Sequence, residues 1–139
     1  LDVTIQAQIL DLLNELKSQM GMSIMLITHA MGVVAETAQR VVVMYAGRVV
    51  EEATVENLFA SPAHPYTKGL IRSIPRIDFD SAHKQRLEAI PGSVPKLINP
   101  PKGCRFAPRC QHATDRCIQE MPELRDIATG HKVACHFSL

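Results

Sequence analysis

The sequence predicts an α/β domain followed by a small proline-rich, cysteine-containing extension. Helical apolar periodicity alternates with short continuous apolar runs over the first 60 residues. All nine prolines lie between Pro62 and Pro122, and all four cysteines lie at or beyond Cys104. Continuous apolar runs are typical of strands buried on both faces, whereas frequent prolines interrupt helices and strands. We therefore expect a layered first part and an irregular second part.

The first predicted element is a helix that ends near Gly21. Its apolar side chains recur at helical spacing and form one stripe, which comprises Ile5, Ile9, Leu12, Leu13, Leu16 and Met20. Asp2 can cap the start of this helix by accepting a hydrogen bond from a backbone N–H. Gly21 can end the helix in a left-handed conformation.

Two apolar runs predict buried strands, one over residues 23–28 and one over residues 40–45. The stretch 29–39 between them is long enough for a short crossover helix, which would make the two strands parallel. The turn-forming pair Ala46-Gly47 then leads into an antiparallel strand. We therefore expect the end of a parallel sheet with one antiparallel addition.

Two further helices are predicted around the change in composition. Thr54 can cap a short helix that extends to Phe59. A second helix covers residues 66–74 and stops at Pro75, because the residue before a proline is disfavoured in the helical conformation. Beyond Pro75, the many prolines exclude long elements.

Charge and composition exclude several classes of protein. Fifteen basic and fourteen acidic residues give a net charge of +1, which is too balanced for a nucleic-acid-binding protein. Aromatic residues make up 4% of the chain and tryptophan is absent, so platforms for base stacking are not expected. No apolar run approaches the roughly 20 residues of a membrane span. Acidic residues dominate the first 60 positions and basic residues the rest, which indicates a boundary at or after Ser61.

His29 is a candidate catalytic residue, because it follows directly on the apolar run at 23–28. In open α/β sheets, ligands bind beyond the carboxyl ends of the strands. A neutral imidazole at such a place can hold a water molecule or contact a phosphate oxygen. Position alone favours the alternative, a solvated histidine at the end of a strand.

Four cysteines are candidate metal ligands, with the spacing C-x5-C-x6-C-x17-C: Cys104, Cys110, Cys117 and Cys135. Zinc ligands usually come in C-x2–4-C pairs, and the spacing also differs from the common ferredoxin patterns. Two disulfides would require an oxidising compartment. The spacing therefore leaves an iron–sulfur cluster, a zinc ion and unligated thiols open.

Motifs along the whole chain are those of a known family. The motifs that are shared most widely within this family occupy residues 1–6 (LDVTIQ), 26–29 (LITH) and 43–51 (VMYAGRVVE). More specific motifs follow residue 60, at 64–70 (HPYTKGL), 73–75 (SIP), 90–95 (IPGSVP), 100–104 (PPKGC), 108–110 (PRC) and 130–135 (GHKVAC). With these motifs the chain resembles the C-terminal part of the ATP-binding subunit of oligopeptide and dipeptide ABC transporters.

This resemblance implies a subunit that hydrolyses ATP with Mg²⁺ to power peptide import. It implies that residues 1–74 end a nucleotide-binding domain of the P-loop ATPase type and that residues 75–139 form a C-terminal extension. Asp2 corresponds to the end of the D-loop, and His29 to the switch histidine that contacts the γ-phosphate. Ala30 stands where the family usually has aspartate.

The phosphate-binding loop, the acidic strand end and the LSGGQ-like segment of the family would precede Leu1. Because the chain also begins without a methionine, we expect a longer protein, and we do not expect this chain alone to hydrolyse ATP. The implied partners are a second ABC ATPase subunit, transmembrane permease subunits and, indirectly, a periplasmic or lipid-anchored peptide-binding protein, with no nucleic acid. The implied location is peripheral, on the cytoplasmic face of the cell membrane.

The resemblance also implies a 4Fe–4S cluster bound by the four cysteines, with zinc as the alternative metal. The first role expected of such a cluster is structural. Neighbouring arginines can offset the negative charge of such a cluster, or they are solvated charges: Arg105, Arg109 and Arg116. The nearby histidines are weaker candidate ligands: His112, His131 and His136. The alternative function is a free-standing metal- or iron–sulfur-binding interaction module without enzymatic activity.

Overall fold

The computed structural model describes residues 3–74, 90–95 and 98–137. The chain forms two compact units, Leu1–Ala30 and Met31–Leu139. The predicted cap at Asp2 lies outside the described residues. Within the described ranges, no helix combines the length and the apolar character needed to span a bilayer.

The first unit contains the predicted helix, α1 (Val3–Met20). Gly21 follows with a φ of 63°, which confirms the predicted left-handed end of the helix. The predicted strand over residues 23–28 is wrong, since this segment has no regular secondary structure. Met25 and Ile27 are 89% and 92% exposed. An apolar run makes a strand only where a neighbouring strand satisfies its backbone groups, and the sequence pattern does not supply that neighbour.

The second unit contains the other elements. In chain order they are α2 (Met31–Thr37), β1 (Arg40–Tyr45), β2 (Arg48–Thr54), α3 (Val55–Ala60), α4 (Pro65–Arg72), a 3₁₀ turn (Ala107–Arg109), α5 (Asp115–Gln119), β3 (Arg125–Ala128) and β4 (His131–Val133). The short helix between the two apolar runs, the helix capped by Thr54 and the helix that ends before Pro75 are therefore confirmed. The last two strands were not predicted.

The four strands form one antiparallel sheet in the order β1–β2–β4–β3. The predicted hairpin of β1 and β2 is confirmed, and its turn residues Ala46 and Gly47 have φ values of 47° and 77°. Positive φ at both positions is what a tight hairpin turn requires. The predicted parallel pairing of β1 is wrong. Its burial alternates, with Val43 buried and Val42 exposed, which is the pattern of an antiparallel strand that packs one face on the core.

The core of the second unit combines residues from both sides of residue 75. Tyr45 on β1 contacts Tyr66 on α4 and Phe106, with ring centroids 4.7 Å and 5.1 Å away. Phe106 is 3% exposed. Strand β4 also pairs with β2, so the sheet itself crosses the proposed boundary. The division into 1–74 and 75–139, which rests on the family resemblance, remains a prediction.

Candidate cysteine site and its supporting network

The two predicted nucleotide-site residues belong to the first unit. Asp2 lies outside the described residues. His29 is exposed and follows the irregular segment 23–28, where the backbone N–H of Ala30 donates to Thr28 Oγ1 over 3.0 Å. Its role as a switch histidine remains a prediction.

The four cysteines are positioned by short elements of the second unit. Cys104 precedes the 3₁₀ turn, Cys110 follows it, Cys117 lies in α5, and Cys135 follows β4. The backbone N–H of Cys104 donates to the carbonyl of Cys117 over 2.7 Å. All four thiols are free, with Cys117 buried and the other three half-buried. The backbone therefore joins two predicted ligands directly.

Gly103 makes this backbone contact possible. A Cβ atom at this position would lie 2.3 Å from the carbonyl oxygens of both Cys117 and Ile118. Carbon and oxygen atoms cannot approach so closely without a shift of the backbone. The glycine before Cys104 is thus required by the packing of this loop against α5.

Burial dominates the electrostatics of the thiols. It raises the pKa of Cys104, Cys110 and Cys135, because a thiolate loses hydration in a half-buried position. Negative charge on Cys117 and Cys135 raises the pKa of Cys104 and Cys110 further. The four sulfur atoms therefore share one electrostatic neighbourhood. Without a bound cation, these three thiols are protonated at neutral pH.

The donor set and the placement of the side chains give different answers about a metal. Four free thiols are the ligands that an iron–sulfur cluster takes. Within residues 3–74, 90–95 and 98–137, however, no group of three or more His, Cys, Asp or Glu side chains is placed to hold a metal ion. The chemistry of the donors fits a cluster, but the four thiols would have to move closer together to bind one.

The neighbouring arginines have other partners. Arg105 donates to the carbonyl of Ala46, Arg109 to the carbonyls of Ile90 and Pro91, and Arg116 to the Glu120 carboxylate. A different arginine acts on a thiol: the positive charge of Arg125 partly offsets the rise in the pKa of Cys135. Its guanidinium also donates to the carbonyl of Cys135 over 3.2 Å. The charge of Arg116 also interacts with that of Cys117, so proximity along the chain identified one of the two arginines that act on a thiol.

A buried network that the sequence analysis missed supports the same region. Glu51 on β2 is fully buried, and its carboxylate accepts hydrogen bonds from the backbone N–H groups of Ala63 and His64 over 2.7 Å and 2.9 Å. His131 on β4 donates to the same carboxylate from Nε2 over 2.8 Å. One carboxylate thus joins β2, the start of α4 and β4.

His64 caps helix α4 from within this network. Its side chain is 1% exposed, and burial lowers the pKa of the imidazole to about 4, although the charge of Glu51 opposes the shift. The ring is therefore neutral at neutral pH, and its Nδ1 accepts from the backbone N–H of Tyr66 over 3.1 Å. Pro65 occupies the first turn, where no N–H is needed. The pair His64-Pro65 is a local signal of this helix start, whereas nothing local points to Glu51 or His131.

The weaker candidate ligands have structural partners of their own. His131 is bound to Glu51, and the imidazole of His136 is 3.0 Å from the carbonyl of Glu120. Neither histidine is placed in a metal-binding group within the described chain. The four cysteines are not placed in such a group either, so the assignment of the metal ligands remains a prediction.

Comparison with known proteins agrees with the motifs. A family model described as the oligopeptide/dipeptide transporter C-terminal region matches residues 50–117. The chain is 56% identical over 135 residues to a probable peptide ABC transporter ATP-binding protein of Sinorhizobium fredii, covering 97% of this chain and 40% of the relative. The chain matches the C-terminal region of oligopeptide/dipeptide ABC transporter ATP-binding proteins. The resemblance predicted from the sequence is thus confirmed.

Two further transport ATP-binding proteins are similar to the chain with nearly the same coverage. The oligopeptide transport ATP-binding protein of Bacillus subtilis is 54% identical over 97% of this chain and 40% of its own length. The dipeptide transport ATP-binding protein of Escherichia coli is 48% identical over 100% of this chain and 42% of its own length. The chain therefore spans about two fifths of these relatives. Their names do not support a free-standing metal-binding module.

Proposed function

We propose that this chain is part of the ATP-binding and ATP-hydrolysing subunit that powers ATP-dependent import of dipeptides or oligopeptides. The observation that carries this proposal is 48–56% identity over nearly the whole chain to proteins named as peptide transport ATP-binding proteins. In this proposal ATP, with Mg²⁺, is the substrate of the whole subunit. The subunit works peripherally on the cytoplasmic face of the membrane, with a second ABC ATPase subunit, permease subunits and a peptide-binding protein.

His29 is the residue of this chain that we assign to the chemistry. Phosphoryl transfer depends mainly on positioning and on stabilising charge, and an imidazole can hold the attacking water and contact the terminal phosphate. The exposure of His29 leaves its ring accessible to a nucleotide. Asp2 is proposed to lie at the contact between the two ATPase subunits.

Replacing His29 with alanine in the whole subunit should lower ATP hydrolysis roughly 100-fold, the effect typical of losing one proton-transfer or water-positioning group. ATP binding should change little, because the phosphates keep their other ligands. The measurements are the rate of ATP turnover by the assembled transporter and the growth of cells that require an imported dipeptide.

His112→Ala is the matched control, since His112 is an exposed histidine of the other unit. It should retain full turnover. Equal activity of the His29→Ala subunit and the unsubstituted subunit would remove His29 from the mechanism. Failure of the unsubstituted transporter to take up any peptide would contradict the proposed function itself.

We also propose that Cys104, Cys110, Cys117 and Cys135 hold a 4Fe–4S cluster, with zinc as the alternative. Support comes from four free thiols, of which Cys117 and Cys135 raise the pKa of Cys104 and Cys110, in a region whose helices and strands are all short. When bound, the cluster would cross-link this region and stabilise its fold. Because binding requires thiolates, it should release protons and draw the cysteines together.

The metal content of protein purified without oxygen tests this site. We expect roughly four iron and four acid-labile sulfide per chain, and a large loss of both in Cys117→Ser. Thr114→Ala is the control, since it removes a hydroxyl 3.7 Å from the Cys117 sulfur but keeps all four thiols. Roughly one zinc per chain would replace the cluster by a structural zinc site. Absence of both metals would overturn the assignment.

A further inference from the structure

A cavity of about 600 Å³ lies between the β1–β2 hairpin, residues 104–106 and the segment that joins α5 to β3. We call it the hairpin cavity. Much of its wall is apolar and includes the side chains of Met44, Val49, Phe106, Met121, Pro122 and Leu124. Its volume lies in the range of small-molecule sites, which typically combine apolar walls with a few polar groups.

The charged side chains of the hairpin cavity differ in their exposure. Among the described residues that line it, three carry a charge: Arg48, Glu123 and Arg105. Arg48 and Glu123 are exposed and of opposite sign, so their charges are screened by water and salt and partly offset each other. Arg105 is half-buried, and a charge acts more strongly where less water surrounds it. Arg105 is therefore the charge that most strongly selects a ligand.

The hairpin turn holds the guanidinium of Arg105 in place. Its Nη1 donates to the carbonyl of Ala46. The next residue, Gly47, leaves room for the guanidinium, since a Cβ atom there would lie 3.3 Å from Nη1. A cation that is already ordered loses little conformational freedom when it binds an anion.

The Arg105 guanidinium also has a donor without an acceptor. Its Nε is buried and has no hydrogen-bond partner among the described residues. A buried donor without a partner costs free energy, so this atom calls for an explanation. In arginine, Nε and Nη2 form an edge that can bind a carboxylate through two parallel hydrogen bonds, and Nη1 is not part of that edge. The bond to Ala46 therefore leaves the carboxylate-binding edge to a ligand.

We propose that the hairpin cavity binds a small carboxylic acid with an apolar body. The carboxylate accepts from the Nε–Nη2 edge of Arg105 and supplies the missing acceptor. The apolar body contacts the wall at Met121 and Leu124. The proposal does not depend on ATP hydrolysis, because none of these residues is assigned to that reaction.

Two fluorescent probes with the same apolar body test this site on the full chain. Dansylglycine carries a carboxylate, and dansylglycinamide is its neutral amide. The fluorescence of the dansyl group rises in apolar surroundings, so titration gives the affinity of each probe. We expect saturable binding at one site, about tenfold tighter for dansylglycine because its hydrogen bonds are charge-assisted. Equal affinities of the two probes would overturn the proposal, as would binding of neither.

Arg105→Gln should lower the affinity for dansylglycine about tenfold and leave that for dansylglycinamide nearly unchanged. Arg109→Gln is the matched control, and it should retain both affinities. Arg109 is also half-buried, donates to backbone carbonyls and adjoins a cysteine, but it does not line the hairpin cavity. Equal losses in the two variants would contradict a direct contact between Arg105 and the carboxylate.

Leu124→Ala tests the apolar wall without the charge. Leu124 is 39% exposed, so the fold should tolerate its truncation. The affinity for both probes should fall about threefold, because less apolar surface is buried. Ile118→Ala shortens an exposed side chain outside the cavity and should change neither affinity.

Thermal unfolding of each variant verifies that the fold is intact. If Arg105→Gln does not fold, the comparison of the two probes and the Leu124→Ala variant decide the question. Unchanged affinities in Leu124→Ala would place the probes outside the hairpin cavity and overturn the proposal.

Discussion

Replacing Glu51 with alanine is expected to lower the free energy of unfolding by about 4 kcal/mol. Three donors would lose their acceptor in a fully buried site: the backbone N–H groups of Ala63 and His64, and the ring of His131. Removing one partner from a buried charged network costs about 3–5 kcal/mol, because the groups left behind are neither solvated nor paired. Glu51→Gln should cost less, about 2 kcal/mol, since the amide keeps one acceptor oxygen.

The neighbouring residue provides the control. Glu52 pairs with Arg40, whose side chain is half-exposed, so Glu52→Gln should cost less than about 1 kcal/mol. Urea unfolding followed by tyrosine fluorescence measures the difference, because Tyr45 and Tyr66 lie in and against the core of this unit. Similar losses for Glu51→Gln and Glu52→Gln would show that the buried network contributes no special stability.

Gly103→Ala should destabilise the second unit by about 3 kcal/mol, the upper part of the range for overpacked positions. The new methyl group would meet two backbone oxygens at 2.3 Å, and backbone atoms cannot rotate away as a flexible side chain can. The loop before Cys104 would have to separate from α5 and lose its hydrogen bond to Cys117. Metal content should fall as well, since two proposed ligands would move apart.

Gly32→Ala is the matched substitution for this experiment. Gly32 lies in helix α2, and nothing lies within 4 Å of the position its Cβ would take. Alanine is the better helix former, so the variant should gain up to about 1 kcal/mol. The free energies of unfolding of Gly103→Ala and Gly32→Ala are to be measured by urea titration followed by circular dichroism. A Gly103→Ala protein as stable as Gly32→Ala would contradict the close approach of the two backbones.

The sequence was sufficient to predict those structural features that depend on neighbouring residues. Gly21 ends a helix, Ala46-Gly47 turns a hairpin, and Thr54 caps a helix by accepting from the N–H of Asn57. Each of these features follows from the conformational preferences or hydrogen bonding of one or two residues. The family and its four cysteines were also visible, because both are properties of the linear pattern.

The sequence was not sufficient to predict those structural features that depend on residues far apart along the chain. Residues 23–28 have the composition of a buried strand, yet a strand also needs a neighbour that the pattern does not name. The partners Glu51 and His131 are 80 positions apart, so no local spacing connects them. Strands β3 and β4 have only four and three residues, which is too short for a clear alternation in a proline-rich region.

The pairing of β2 with β4 also determines the order in which this unit can fold on the ribosome. The hairpin of β1 and β2 emerges first, with one edge of β2 still open and Glu51 still without His131. That edge closes only after about 80 further residues have been synthesised. Joining such distant segments is entropically costly and slows folding, and an open strand edge invites association between nascent chains. The hairpin therefore needs protection from aggregation throughout the synthesis of the cysteine region.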